Sequence, residues 1–279
     1  MKTILVPVES HDRTETILTT ALAYAQNFAS NITGFALAPA TTPFLAADVI
    51  GASVIYEPLA EYNEESAQKA RMLFERFMTS HSIRRGSAAG EGPAWTWRND
   101  VPPGDHMVGH LGRIFDIIVV GRPEARVSGP RAATLDAALF DSGRPILIAP
   151  PEAAEVVGRR ILIAWNRSTE TARTVALAMP LLMQADEVIV LSVEGSQIAG
   201  PTGEELITYL RAHGRSARAL LVDPGKRGPG AAILDEAREL GCDLVIKGAF
   251  TQSRIRQIIF GGATQHILTE TEIPVFMAH

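Results

Sequence analysis

The chain repeats itself, and that repetition narrows its architecture more than any other feature of the sequence. "KTILVPVES" (2–10) and "RRILIAWNR" (159–167) both read as a basic residue, an apolar run and a polar turn. "NITGFALAP" (31–39) and "DEVIVLSVE" (186–194) form a second such pair. "FDIIVVGRP" (115–123) then matches "CDLVIKGAF" (242–250), and "GRPILIAPP" (143–151) matches "EIPVFMAH" (272–279). The offset is 157 residues at Ile4 and Ile161 but 127 at Asp116 and Asp243. The first copy therefore carries about thirty extra residues, placed in the Pro- and Ala-rich stretch at about 40–62.

Within each copy, short β-branched runs alternate with helical patterns. In the second copy, "STETARTVALAMPLLMQA" has the cap and apolar spacing of a helix, "GEELITYLRAHG" is a helix stopped at Gly214, and "GAAILDEARELG" one stopped at Gly241. Strands that are apolar throughout, separated by helices, predict a parallel sheet covered on both faces. Right-handed crossovers then give an α/β fold of two tandem doubly wound five-stranded sheets, Rossmann-like in outline. The expected domains are 1–150 and 159–279, divided near "PPEAAEVVG".

Composition excludes several classes. A net charge of −5 argues against a broad nucleic-acid surface. Cys242 is the single cysteine, which leaves no disulfide framework or thiolate metal cluster and fits a reducing compartment. The opening "MKTILVPVESHDR" lacks the apolar length of a signal peptide, and no run approaches the roughly 20 residues of a membrane span. The expectation is a cytoplasmic protein with neither membrane nor nucleic acid as partner.

Ligands of open α/β sheets bind outside the carboxyl ends of the strands, where the strand order reverses. In the second copy that position falls at "AWNRS" (164–168) and "KGAFTQS" (247–253). The segment "KGAFTQSRIRQIIFGGAT" has Gly248 at a strand end and Gly261-Gly262-Ala263-Thr264 at a helix start, with Ser253, Arg254 and Arg256 between. Paired glycines signal positive φ or the close approach of something to the backbone. Free N–H groups and a hydroxyl at a helix N-terminus make an anion site; the same residues serve equally as a turn that only caps the helix.

Other signals are weaker. "GPGAAI" (228–233) has Ile233 where a dinucleotide fingerprint needs its third glycine, and it follows the wrong strand. Asp105, His106 and His110 have metal-ligand spacing on a helix, but fit a helix cap and surface histidines as well. Trp95 and Trp97 alternate on a strand and share one face. Cys242 precedes a buried strand as an inert core residue. There is no Walker A sequence, no GxSxG elbow and no Cys/His pair.

Over essentially its whole length the chain resembles the universal stress protein superfamily, tandem two-domain type. That family ends its domain with a strand, Gly-x-x-Gly, nine residues, Gly-Ser or Gly-Thr, a helix, and a strand opening near Pro-Val. Here Gly248 is followed by Thr251 at the second glycine position, nine residues, Gly261, Gly262 at the Ser/Thr position, and "IPVFMAH". The resemblance implies an adenine nucleotide alpha hydrolase-like fold, the two copies paired through "PILIAP" and "PVFMAH" as an intramolecular pseudo-dimer.

The resemblance also implies ATP or ADP, with Mg as companion cation, held by the second copy. Gly248, Thr251, Ser253, Arg254, Gly261, Gly262, Ala263 and Thr264 would wrap phosphates and ribose. Asn166 stands where the family's acidic residue meets adenosine; Ala164, Trp165 and Val193 would line the base pocket, and Lys247 would border it. In the first copy Gly121 matches Gly248, but Glu124, Thr134 and Leu135 occupy the other glycine positions and Glu9 follows the first strand.

Three functional readings follow. The first is a stress-response or signalling protein in which nucleotide binding, without turnover, changes a surface read by a protein partner or a second copy in a homodimer. The second is a scaffold or small-ligand binder whose loops are structural and whose 40–62 insertion does the work. The third is an enzyme such as a nucleotidyl transferase, for which the chain offers no catalytic residues.

Overall fold

The computed structural model describes residues 1–38, 57–86, 92–124, 129–249 and 262–279, with backbone only for 57–63. The first copy runs β1 (Thr3–Val8), α1 (Thr14–Phe28), β2 (Asn31–Ala36), α2 (Glu57–Ser80), β3 (Arg84–Arg85), β4 (Ala94–Arg98), α3 (His106–Gly112), β5 (Ile117–Gly121), α4 (Ala132–Asp141) and β6 (Ile146–Ala149). The second runs β7 (Arg160–Ala164), α5 (Thr169–Leu182), β8 (Glu187–Val193), α6 (Gly203–Ala212), β9 (Arg218–Val222), α7 (Pro229–Glu239), β10 (Leu244–Gly248), α8 (Ala263–Glu270) and β11 (Val275–Ala278). The expected order of strands and helices is present in both; the first copy adds β3, a two-residue exposed strand that pairs with β4.

The strand order is β3-β4-β2-β1-β5-β6-β11-β10-β7-β8-β9. Each half is parallel and doubly wound, and the halves meet edge to edge where β11 runs antiparallel to β6, Phe276 opposite Leu147. The two expected sheets are thus one continuous sheet of eleven strands, joined through the pair of strands the resemblance implies. At this junction neither β6 nor β11 is left with a row of unpaired backbone N–H and C=O groups.

Alternation along the strands sends neighbours to opposite faces. Ile161, Ile163, Ile246, Phe276 and Leu147 belong to one apolar layer; Leu162, Val245, Met277 and Ile148 belong to the other. Each layer runs through both halves, so the core is shared across the junction.

The repeat is also visible in its polar anchors. Asp116 accepts hydrogen bonds from the backbone N–H groups of Lys2 and Thr3 at the start of β1. Asp243, its sequence counterpart, accepts from Gly158, Arg159 and Arg160 before and at the start of β7. Burial pushes the Asp116 carboxyl up, but the N–H groups outweigh it and hold it below the usual carboxylate range.

Helix starts follow their caps. Ser168 accepts from the N–H of Thr171 at α5, and Thr202 with Glu205 forms a reciprocal capping box at α6. Gly228 precedes Pro229 at the first position of α7. The turns after α6 and α7 use Gly214 and Gly241, with φ of 84° and 63°.

Candidate functional site

In the second half the order reverses between β7, which leads outward to β8, and β10, which leads back to β11. Their carboxyl ends therefore diverge and open a crevice. Ala164, Trp165 and Asn166 leave β7, Val193 closes β8, Lys247 lies near the end of β10, and Ala263 opens α8. All six line one cavity of about 50 Å³. Residues of β7, β8, β10 and α8, with the turn after β7, thus meet in one lining. The cavity holds a few waters' volume, well short of the roughly 300–1,000 Å³ of a ligand pocket, and forms the floor of the crevice. Thr251, Ser253, Arg254 and Gly261 lie outside the described residues.

Each floor residue has a local reason for its place. Trp165 donates its indole N–H to the Pro201 carbonyl at 2.8 Å, which fixes the ring against the β8 connection. Asn166 Oδ1 accepts from the Thr171 hydroxyl at 2.6 Å and the Ser168 N–H at 3.2 Å. Asn166 thereby builds the turn into α5, and the following Arg167 takes a left-handed φ of 68°.

Gly248 answers the question its spacing raises. A Cβ there would stand 2.4 Å from the Thr171 backbone N and 2.6 Å from the Glu170 carbonyl carbon. What approaches the backbone is the head of α5, not a ligand. Gly262 caps α8 with φ −72° and ψ 167°, conformations open to any residue. The glycines at these two positions therefore do not require positive φ.

The charged member of the floor is Lys247, 5% exposed. Its ammonium donates to the Gly248 carbonyl and to the Thr264 hydroxyl, each at 2.9 Å. Burial pulls its pKa down to about 8, against the opposing field of Glu170. Thr264 is the second residue of α8, whose N-cap, Gly262, has no side chain to bond the first turn. A buried cation and the first N–H groups of a helix thus converge at one helix head, an arrangement suited to an anion.

Sequence reasoning missed Leu191, Ser196, Pro229 and Ile233, which complete the lining. "GPGAAI" is not a dinucleotide loop, yet it delivers Pro229 and Ile233 to the crevice. Gly230 lets α7 cross α8, since a Cβ there would meet Ala263 O at 2.9 Å and His266 Cβ at 2.8 Å.

The equivalent position of the first half is filled by the chain's own charges. Arg131 pairs with Glu9 at 2.8 Å and with Asp105 at 2.9 Å, Thr134 donates to Asp105 at 2.6 Å, and Arg13 pairs with Glu124 at 3.0 Å. Burial raises the Glu9 carboxyl to about 7, outweighing the Arg131 beside it. Asp105 is thus spent on Arg131 and Thr134, and His106 and His110 stack edge to face with centroids 5.4 Å apart. Among the described residues no group of three or more His, Cys, Asp or Glu side chains could hold a metal ion. Trp95 and Trp97 do share a face, both packing on Phe74. Cys242 is a buried free thiol whose pKa burial pushes up to about 11.

Comparison with known proteins agrees with this fold and with the closing segment. Residues 225–279 match the universal stress protein family. The match spans α7, β10, α8 and β11, the elements that carry the motif spacing. A universal stress protein from Archaeoglobus fulgidus DSM 4304 superposes with a TM-score of 0.74 at 16% identity, over 99% of this chain and 95% of that one. A protein of unknown function from Pseudomonas aeruginosa PAO1 gives a TM-score of 0.55 at 14% identity, over 100% and 92%. At these identities the likeness is one of fold. Nothing among curated proteins matches the sequence. Among the described residues no helix is long and apolar enough to cross a membrane.

Proposed function

We propose that this chain is a tandem universal stress protein that binds an adenine nucleotide, ATP or ADP, in its second half, and acts by binding rather than turnover. The observation that carries the reading is the convergence of Ala164, Trp165, Asn166, Val193, Lys247 and Ala263 on one crevice floor at the head of α8. An apolar wall on the β7–β8 side suits a base, and the Lys247 side suits phosphate. Thr251, Ser253, Arg254 and Gly261 belong to the proposed site by their motif positions alone. The first half is the non-binding partner, because Glu9, Glu124, Asp105 and two arginines occupy its crevice. Residues 1–150 and 159–279 are the two units of the proposal, and a cytoplasmic setting, a homodimer or a protein partner reading the nucleotide state belong to it as well.

The 50 Å³ floor and the engagement of Asn166 in the α5 turn favour a second reading, a scaffold whose crevice is structural. Calorimetric titration of the nucleotide-stripped protein with ATP, repeated on Ala263→Asp, separates the two. A carboxylate at the first position of α8 favours the helix but repels a phosphate there. Binding that falls at least about tenfold in the folded variant supports the nucleotide site; no heat at millimolar ATP supports the scaffold.

A further inference from the structure

Lys247 sits where burial is most costly for an ammonium group. It lies on a strand otherwise made of Leu244, Val245, Ile246 and Gly248, all buried. Its two partners are a carbonyl and a hydroxyl, both neutral. Among the described residues no carboxylate lies at ion-pair distance from it, although a buried charge ordinarily has one. Glu170, whose field reaches it, belongs to α5 and is not part of the cavity wall. The ammonium also faces the positive end of α8, which disfavours a cation further. The ammonium thus lies at the cavity wall with two neutral acceptors and a helix N-terminus beside it, and the cation and the helix end together favour an anion.

The same wall is poor in what a divalent cation needs. Magnesium takes hard oxygen ligands, ordinarily one or two carboxylates beside substrate phosphates. The described lining of the cavity holds no carboxylate: Asn166 occupies the turn after β7, and its Oδ1 already accepts two hydrogen bonds.

We propose that Lys247 is the built-in counterion of a phosphate group bound at the head of α8, so that the site takes its ligand without a divalent cation. The ammonium keeps its bonds to Gly248 and Thr264 and directs its third hydrogen toward the anion. The Thr264 hydroxyl accepts from Lys247 and retains its own hydrogen to donate. This rests on the nucleotide reading only for the identity of the phosphate carrier; the chemistry of the anion is independent of it.

The test is titration of the intact chain with ATP and, separately, with inorganic tripolyphosphate, each in EDTA and in excess magnesium. Lys247→Met is carried through the same set, with its fold checked by thermal melting. The expected result is wild-type affinity for ATP equal within about twofold in EDTA and in magnesium, and a loss of about tenfold or more in the variant in EDTA. Wild-type binding that collapses in EDTA overturns the proposal and needs no variant. A folded variant that binds like wild type overturns it too, while leaving the nucleotide reading standing. Lys247-dependent binding of tripolyphosphate without preference for ATP supports the counterion and overturns the nucleotide reading. No binding of either probe overturns both.

Discussion

At Gly248 and Lys247, adjacent on β10, side-chain choice is set by opposite needs. Gly248 has no room for a Cβ because the backbone of α5 lies against it. Gly248→Ala is expected to destabilise the fold by about 2 kcal/mol or more, through overpacking against groups that cannot rotate away. Chemical denaturation measures this, and a variant as stable as wild type would show that α5 can shift. Lys247 carries a pH signature. Its pKa is near 10.5 unfolded and about 8 folded, so between those values the unfolded chain holds a proton that the folded chain has shed. Stability therefore rises with pH through that window, and below pH 8 the full cost of burying the charge is present. Relative to Lys247→Met, wild type should gain on the order of 3 kcal/mol between pH 8 and 10.5, read from denaturation midpoints. The lysine is legible in the sequence, a charge inside an apolar run. The reason for Gly248 is not, because the residues that crowd it are Glu170 and Thr171, distant in sequence.

Secondary elements were largely legible because each strand buried on both faces must be apolar throughout, and each helix carries its own start and stop. Ser168, Thr202 and Pro229 open helices and Gly214 and Gly241 close them as their chemistry requires. The short β3 was not legible, since two exposed arginines paired along one edge leave no apolar pattern. Asp243 shows what binds elements together: it receives three backbone N–H groups ahead of and at the start of β7. Asp243→Ala strands these donors and is expected to cost about 1–3 kcal/mol, measured by urea unfolding. A change within about 0.5 kcal/mol would mean that water replaces the carboxylate at little cost. The candidate site was legible to the extent that strand ends and helix heads could be placed. The lining supplied by α7 was not, because its contribution depends on how closely α7 crosses α8 at Gly230.

For the whole molecule, the antiparallel junction of β6 and β11 turns two repeated halves into one sheet with cores common to both. Strand pattern alone predicts two sheets; their union concerns edges, on which side-chain periodicity is silent. Phe276, fully buried opposite Leu147, packs at that junction, and Phe276→Ala is expected to cost about 3–5 kcal/mol. Because the layers are shared, calorimetric unfolding of wild type should show one transition, and two resolved transitions would mean the halves are independent. Within this common frame the halves have diverged at the crevice. One is closed by Arg131 with Glu9 and Asp105; the other presents a buried ammonium at a helix head with a glycine N-cap. The measurement that tests this asymmetry most directly is the number of ATP molecules bound per chain at saturation, by equilibrium dialysis of nucleotide-stripped protein. The account predicts one; two would show that the ion pairs of the first half open for ligand, and none would show that neither crevice is a nucleotide site.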